Sequence, residues 1–241
     1  MMELFNAYQD TVRAESYAKL EFHDTYYLAF RDLPSIFSKH IIGKNALDFG
    51  CGTGRSTRFL KNHKFIAKGV DIAIDMIKIA RRLDPSGEYY LIDDADFSIF
   101  NKKSFDLILS TFTFDNIPTM ERKVRIFTAM ASVLKNTGKI INLVSSPEIY
   151  VNEWASFTTK DFPENKVAKS GDIVRTVTTT VEDKRPVEDI IWSVEDYHKV
   201  YQDAGLEVEA IYKPLASEDE PFDWVNETTI APWTIYVLRK K

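Results

Sequence analysis

Apolar positions along this chain switch between two periods. Short continuous apolar runs, as in strands buried on both faces, alternate with segments whose apolar residues recur every three or four positions, as on one helix face. Residues 46–49 read as a short buried strand, and 56–63 as a helix with Phe59 and Leu60 inward. Residues 66–71 form the next strand, and Ile74, Ile77, Ala80 and Leu83 carry the next helix. Strands are expected over 88–92 and 105–110. Met120, Val124, Phe127, Met130 and Leu134 mark a long helix face, which Asn136-Thr137-Gly138 is expected to end before a buried strand over 139–144. Strand and helix in turn argue for an α/β fold with right-handed crossovers and a doubly wound, mostly parallel sheet.

The alternation breaks between Ser145 and Trp192. Val and Thr dominate 172–181, which reads as an exposed antiparallel strand, with 187–192 as its partner. This stretch is expected to be an inserted antiparallel β lid. The earlier pattern then resumes: Ser193 is a helix N-cap with Asp196 three residues on, Val194, Tyr197, Val200 and Tyr201 form the apolar face, and Gly205 stops the helix. The last two strands are expected at 206–212 and 234–238, and the first 40 residues read as helical, rich in aromatic residues such as Tyr8, Tyr17, Tyr26 and Tyr27.

A chain of 241 residues, 44% hydrophobic, can bury a substantial core without cross-links. The single cysteine, Cys51, excludes an intramolecular disulfide and a cysteine-based zinc site, and no metal is expected. No apolar run reaches the roughly 20 residues that span a bilayer, and the opening residues carry no signal-peptide pattern. A cytoplasmic location and no membrane partner are therefore expected. Net charge is −5 with the basic residues scattered, which argues against nucleic acid as a partner. A monomer or a homodimer is expected, the Thr-rich strand being able to pair across a two-fold axis.

Three of the nine glycines are Gly50, Gly52 and Gly54, directly after the first strand. Such a loop lets a ligand approach the backbone closely, at the carboxyl ends of the strands where open α/β sheets bind ligands. Asp71 ends the second strand, where a carboxylate accepts hydrogen bonds from ribose hydroxyls. The third glycine comes one residue too early for a dinucleotide fingerprint, and no Gly-Lys-Ser/Thr follows for a P-loop. Asp48, two residues before the first glycine, would repel a pyrophosphate and suits a ligand bearing an ammonium group, directly or through water.

Asp48-Phe49-Gly50-Cys51-Gly52-Thr53-Gly54 resembles motif I of the class I (Rossmann-like) S-adenosylmethionine (SAM)-dependent methyltransferases. Gly69-Val70-Asp71-Ile72 with Asp75-Met76 resembles that family's second-strand acid and its adenine-flanking neighbours. Asp94-Ala95 resembles the pair that receives the adenine amino group, although Asp93 precedes it and either carboxylate is a candidate. Residues 104–110 and 138–141 resemble the fourth and fifth strand motifs, so that the resemblance covers about 33–144 and resumes at Trp192. It implies a seven-stranded sheet with its last strand antiparallel, SAM as cofactor, and methyl transfer by positioning and desolvation. No Asn/Asp-Pro-Pro-Tyr/Phe tetrapeptide is present, which favours a small-molecule acceptor. One domain over 1–241 is expected: a helical cover (1–40), a SAM-binding half (41–144), a substrate lid (145–192) and the C-terminal part of the sheet (193–241).

The cofactor candidates are Tyr17, Asp48, Gly50, Cys51, Gly52, Gly54, Asp71, Ile72, Met76, Asp94, Ala95 and Ser110. Tyr17 enters because an aromatic face attracts a sulfonium; Cys51 reads as a small filler beside the loop. Substrate candidates are Tyr26, Asp115, Glu153 and Trp154, with Glu148 beside them, and His23 and Asp115 are the candidate bases. Two other readings stand beside this one: a catalytically silent SAM-binding scaffold, and a nicotinamide-dependent oxidoreductase, against which the glycine spacing argues.

Overall fold

A computed structural model describes residue 15, residues 18–20 and residues 22–241. Two helices, α1 (Thr25–Arg31) and α2 (Leu33–His40), lead into β1 (Asn45–Phe49), α3 (Arg55–Asn62), β2 (Ile66–Asp71), α4 (Ile74–Leu83) and β3 (Glu88–Leu91). After β4 (Phe105–Thr111) come a short 3₁₀ turn (Thr113–Asn116), α5 (Met120–Val133) and β5 (Leu134–Ser145). The strands order as β3-β2-β1-β4-β5, all parallel. Then α6 (Val194–Asp203), β9 (Leu206–Tyr212) and β10 (Trp233–Lys240) complete seven strands, with β10 antiparallel between β5 and β9. Among the described residues, no helix is long and apolar enough to cross a membrane.

The period-2 alternation of the central strands sorts the core into two layers. Leu107, Leu109, Ile141, Leu143, Ile235 and Val237 pack with Leu28, Leu33, Ile36 and Phe37 of α1 and α2 on one face. Ile108, Ile140, Tyr236 and Leu238 pack with Phe127, Met130, Val200 and Tyr201 of α5 and α6 on the other. Ser193 caps α6 as expected, its Oγ accepting from Asp196 N at 3.1 Å, and Gly205 follows the helix with φ +75°.

Two expectations need correction. Helix α5 ends at Val133, and 136–138 lie inside β5 rather than closing the helix. The ladder slips there: Phe105 pairs with Leu134, whereas Leu107 pairs with Lys139. Gly138 serves this irregularity, since an added Cβ would stand 2.9 Å from Phe105 O. The Thr-rich strand is also not simply exposed. It forms β7 (Ile173–Thr178), antiparallel between β6 (Phe157–Thr158) and β8 (Val187–Ile190), and buries Val174, Thr176 and Thr178 on one face. Val174 packs into the α1 layer of the core with Tyr150 and Phe157, so the small sheet is seated on the large one.

Candidate functional site

The glycine loop turns sharply at the carboxyl end of β1. Gly50 N and Cys51 N both donate to Val70 O of β2, at 2.9 and 3.0 Å. Gly50, Gly52 and Gly54 have φ of +68°, +51° and +84°, a region that side chains avoid. A Cβ on Gly50 would fall 2.1 Å from Thr113 Oγ1, and one on Gly54 would fall 2.7 Å from the Tyr89 hydroxyl. The loop therefore needs glycine for both its angles and its space.

Two carboxylates hold this loop. Asp71 accepts from Gly52 N at 2.9 Å and from Ala73 N at 2.8 Å, tying the loop to the end of β2. Burial pushes its pKa up, against the pull of these amides. Asp48 is fully buried and accepts from Ser56 Oγ (2.7 Å) and Thr57 Oγ1 (2.6 Å) in the first turn of α3. Its Oδ1 has no partner among the described residues, and burial raises its pKa to about 6. Asp48 thus lies beneath the loop surface and pins the start of α3.

The remaining cofactor candidates fall around this loop with distinct surroundings. Cys51 is buried, its thiol pushed well above the ordinary range by burial, which suits a filler. Ile72, directly after Asp71, is 48% exposed, whereas Met76 is buried. Ser110 faces Phe49 across the β1–β4 pairing, and its buried Oγ has no partner among the described residues. Ala95 is half-buried. The Asp94 carboxylate is engaged by Arg122, at 2.8 Å, and by Arg125, both on α5, while its neighbour Asp93 is exposed. Tyr17 lies outside the described residues.

A cavity of about 80 Å³ lies between the small sheet and the ends of β4 and β5. Tyr26, Phe112, Phe157 and Trp233 wall it with mutual ring contacts, the Tyr26 centroid being 5.8, 5.1 and 5.9 Å from the other three. Asp115 and Asp189 both line it, one after β4 and one on β8. Asp115 accepts from Ser145 N at 3.0 Å, and Asp189 from the Tyr150 hydroxyl at 3.2 Å. Burial raises both carboxyl pKa values. Lys123 of α5 is 0% exposed, donates to Phe114 O, and stands 5.2 Å from the Trp192 ring and 5.3 Å from the Tyr197 ring. Burial lowers its pKa, against the attraction of Asp115 and Asp189.

The sequence expectations for this pocket divide. Tyr26 and Asp115 line the cavity. Glu153 and Trp154 do not line it: Glu153 accepts from Thr158 Oγ1 and Thr159 N at 2.7 and 2.8 Å, and buried Trp154 donates to Ile149 O. Glu148 is exposed. His23 is exposed beside the Phe222 ring and is likewise not on the cavity wall. Sequence reasoning passed over Asp189 and Lys123, although each had a signal. Lys123 falls on the stripe of Met120, Phe127 and Met130, and Asp189 shares a strand face with Val187.

Residues 47–142 match the methyltransferase domain family. An uncharacterized methyltransferase of Alkaliphilus oremlandii (strain OhILAs) is 30% identical over 117 residues, 48% of this chain and 53% of that protein. This chain thus spans about half the length of that relative. N-demethylindolmycin N-methyltransferase of Streptomyces griseus is 26% identical over 165 residues, covering 66% of this chain and 68% of that one. The crystal structure of a S-adenosylmethionine-dependent methyltransferase from Clostridium acetobutylicum ATCC 824 superimposes with a TM-score of 0.62 at 15% identity, over 97% of this chain and 96% of that one.

Proposed function

We propose that this chain, whose residues 47–142 match the methyltransferase domain family, is a class I methyltransferase that transfers a methyl group from SAM to a small-molecule acceptor. The observation that carries the reading is the loop of three positive-φ glycines tied to the Asp71 carboxylate through Gly52 N. Such a loop offers bare backbone to a ligand, and Asp71 retains a second lone pair on each oxygen for sugar hydroxyls. The Ser110 Oγ, unpartnered among the described residues, and the exposed Ile72 side chain fit a ligand with both polar and flat apolar parts.

Gly50, Gly52 and Gly54 would hold the amino-acid end of SAM, Asp71 its ribose, and Ile72, Met76 and Ala95 its adenine. Because α5 occupies Asp94, the carboxylate for the adenine amino group is assigned to Asp93. When bound, SAM supplies a methyl group on a positively charged sulfur that departs as a neutral thioether. The chain's own part is to seat the acceptor in the aromatic cavity and keep water from the reacting atoms. The relative named N-demethylindolmycin N-methyltransferase supports a small-molecule acceptor. Calorimetry with SAM and S-adenosylhomocysteine (SAH) tests the reading. Both are expected to bind the native chain, and Asp71→Asn to weaken both; no heat from either ligand overturns it.

A further inference from the structure

We propose that the cavity takes an arylalkyl amine as its ammonium ion, and that Asp189, assisted by Asp115, binds it and accepts its proton. This deepens the methyl-transfer reading and rests on it.

The wall chemistry argues for a cation with a flat apolar body. Four rings, those of Tyr26, Phe112, Phe157 and Trp233, meet one another around the space. Ring faces attract cations and ring edges pack aromatic bodies. The guanidinium on the wall, Arg185, is paired with Asp183 at 2.7 Å. Among the described wall residues Asp115 and Asp189 remain; of the buried cations, Lys123 is drawn to both carboxylates, and Arg55 stands 5.0 Å from the Tyr26 ring. The Lys123 ammonium is not on the wall and donates to Phe114 O. The described wall thus carries two carboxylates, with Lys123 set back from it. An anionic acceptor would be repelled there, and a neutral alcohol would bring no charge to pair with these carboxylates.

The Asp189 carboxylate keeps acceptor capacity on the cavity wall. Among the described residues, Asp189 accepts one side-chain hydrogen bond, from the Tyr150 hydroxyl. An ammonium brings the donors that this carboxylate pair lacks.

The proton step balances without a further reactant: R–NH3⁺ and the Asp189 carboxylate become R–NH2 and the Asp189 carboxylic acid. The freed nitrogen then carries the lone pair that methylation requires. Burial makes these carboxyls more basic than ordinary ones, which brings them nearer to an amine and eases the transfer.

The test is equilibrium binding of three probes with one aromatic body: phenethylamine, phenethyl alcohol and phenylacetate, each titrated calorimetrically into protein saturated with SAH. The ammonium is expected to bind about tenfold tighter than the alcohol, as one desolvated charge-assisted contact would give, with no heat from phenylacetate. Asp189→Asn is expected to erase the preference and leave the Kd for SAH unchanged; Asp115→Asn is expected to reduce it. Equal binding of alcohol and ammonium, binding of phenylacetate, absence of ammonium binding, or a preference that survives Asp189→Asn each overturns the proposal while the methyltransferase reading stands. Failure of SAH itself to bind, read before any probe is added, overturns both.

Discussion

Glu227 accepts a 2.6 Å hydrogen bond from Thr25 Oγ1, joining the start of α1 to the loop before β10. The carboxylate is 0% exposed and also accepts from Ala155 N, Val225 N and Asn226 N at 2.8, 2.8 and 3.0 Å. Thr25 in turn accepts from Ser156 N at 3.0 Å, and its carbonyl accepts from Trp233 Nε1 at 2.7 Å. The start of α1, the residues before β6 and Trp233 of β10 are therefore held at one buried knot. Glu227→Ala strands the buried Thr25 hydroxyl and takes the acceptor from three backbone amides, and is expected to cost roughly 2–4 kcal/mol in urea unfolding. Thr25→Val is expected to cost about 1–2 kcal/mol, and the double variant less than the sum. Strict additivity would show that the two groups do not act together.

Gly50 and Gly171 both have positive φ, +68° and +95°, but differ in their surroundings. A Cβ on Gly50 collides with Thr113, whereas one on Gly171 meets nothing within 4 Å. Gly171→Ala should carry the left-handed backbone cost alone, about 1–2 kcal/mol, and leave SAH binding intact. Gly50→Ala should cost more and abolish SAH binding. Calorimetry and thermal unfolding of both variants check this, and loss of SAH binding in Gly171→Ala would contradict the placement of the ligand loop.

The parts of the site that are local in the chain were legible: a strand, three glycines and the acid at the end of the next strand follow one another, and period alone places them. What could not be read was long-range. Glu227 and Thr25 are 202 residues apart, and nothing near either one marks a knot. Lys123 and Asp189 carry a weak period signal, but a charged residue in a stripe usually points to water, and here two elements close over it. Gly138 looked like a helix stop because glycine serves helix ends and strand irregularities alike. Asp94 matched by position, yet Arg122 and Arg125 come from a helix whose approach the local motif does not encode.

Asp48 predicts a pH-dependent cost. Its pKa is near 3.8 in the unfolded chain and is raised to about 6 in the folded one. Between those values the folded state holds more protons, so rising pH lowers stability through this window, and the cost persists above it. Asp48→Asn removes the buried charge and keeps a polar group beside Ser56 and Thr57. The variant is expected to gain on the order of 1–3 kcal/mol over the native chain at pH 7.5, shrinking towards pH 4. Thermal unfolding across that range checks the sign; a difference independent of pH would show that the charge is not what burial penalises.

The two neighbouring acids after β3 are expected to separate by function. Asp94 is turned to Arg122 and Arg125, with Arg125 largely exposed, so its loss should remove a surface pair. Asp94→Asn is then expected to change stability by about 0–1 kcal/mol and SAH affinity little. Asp93 is exposed, and its contact with the adenine amino group would be a charge-assisted hydrogen bond. Asp93→Asn is expected to weaken SAH binding about tenfold, with stability unaffected. Sinefungin, which keeps the adenine but replaces the sulfonium methyl, should lose the same factor in Asp93→Asn. A larger loss in Asp94→Asn than in Asp93→Asn would mean that ligand binding draws Asp94 away from α5, and that the arginine pairs are broken on binding.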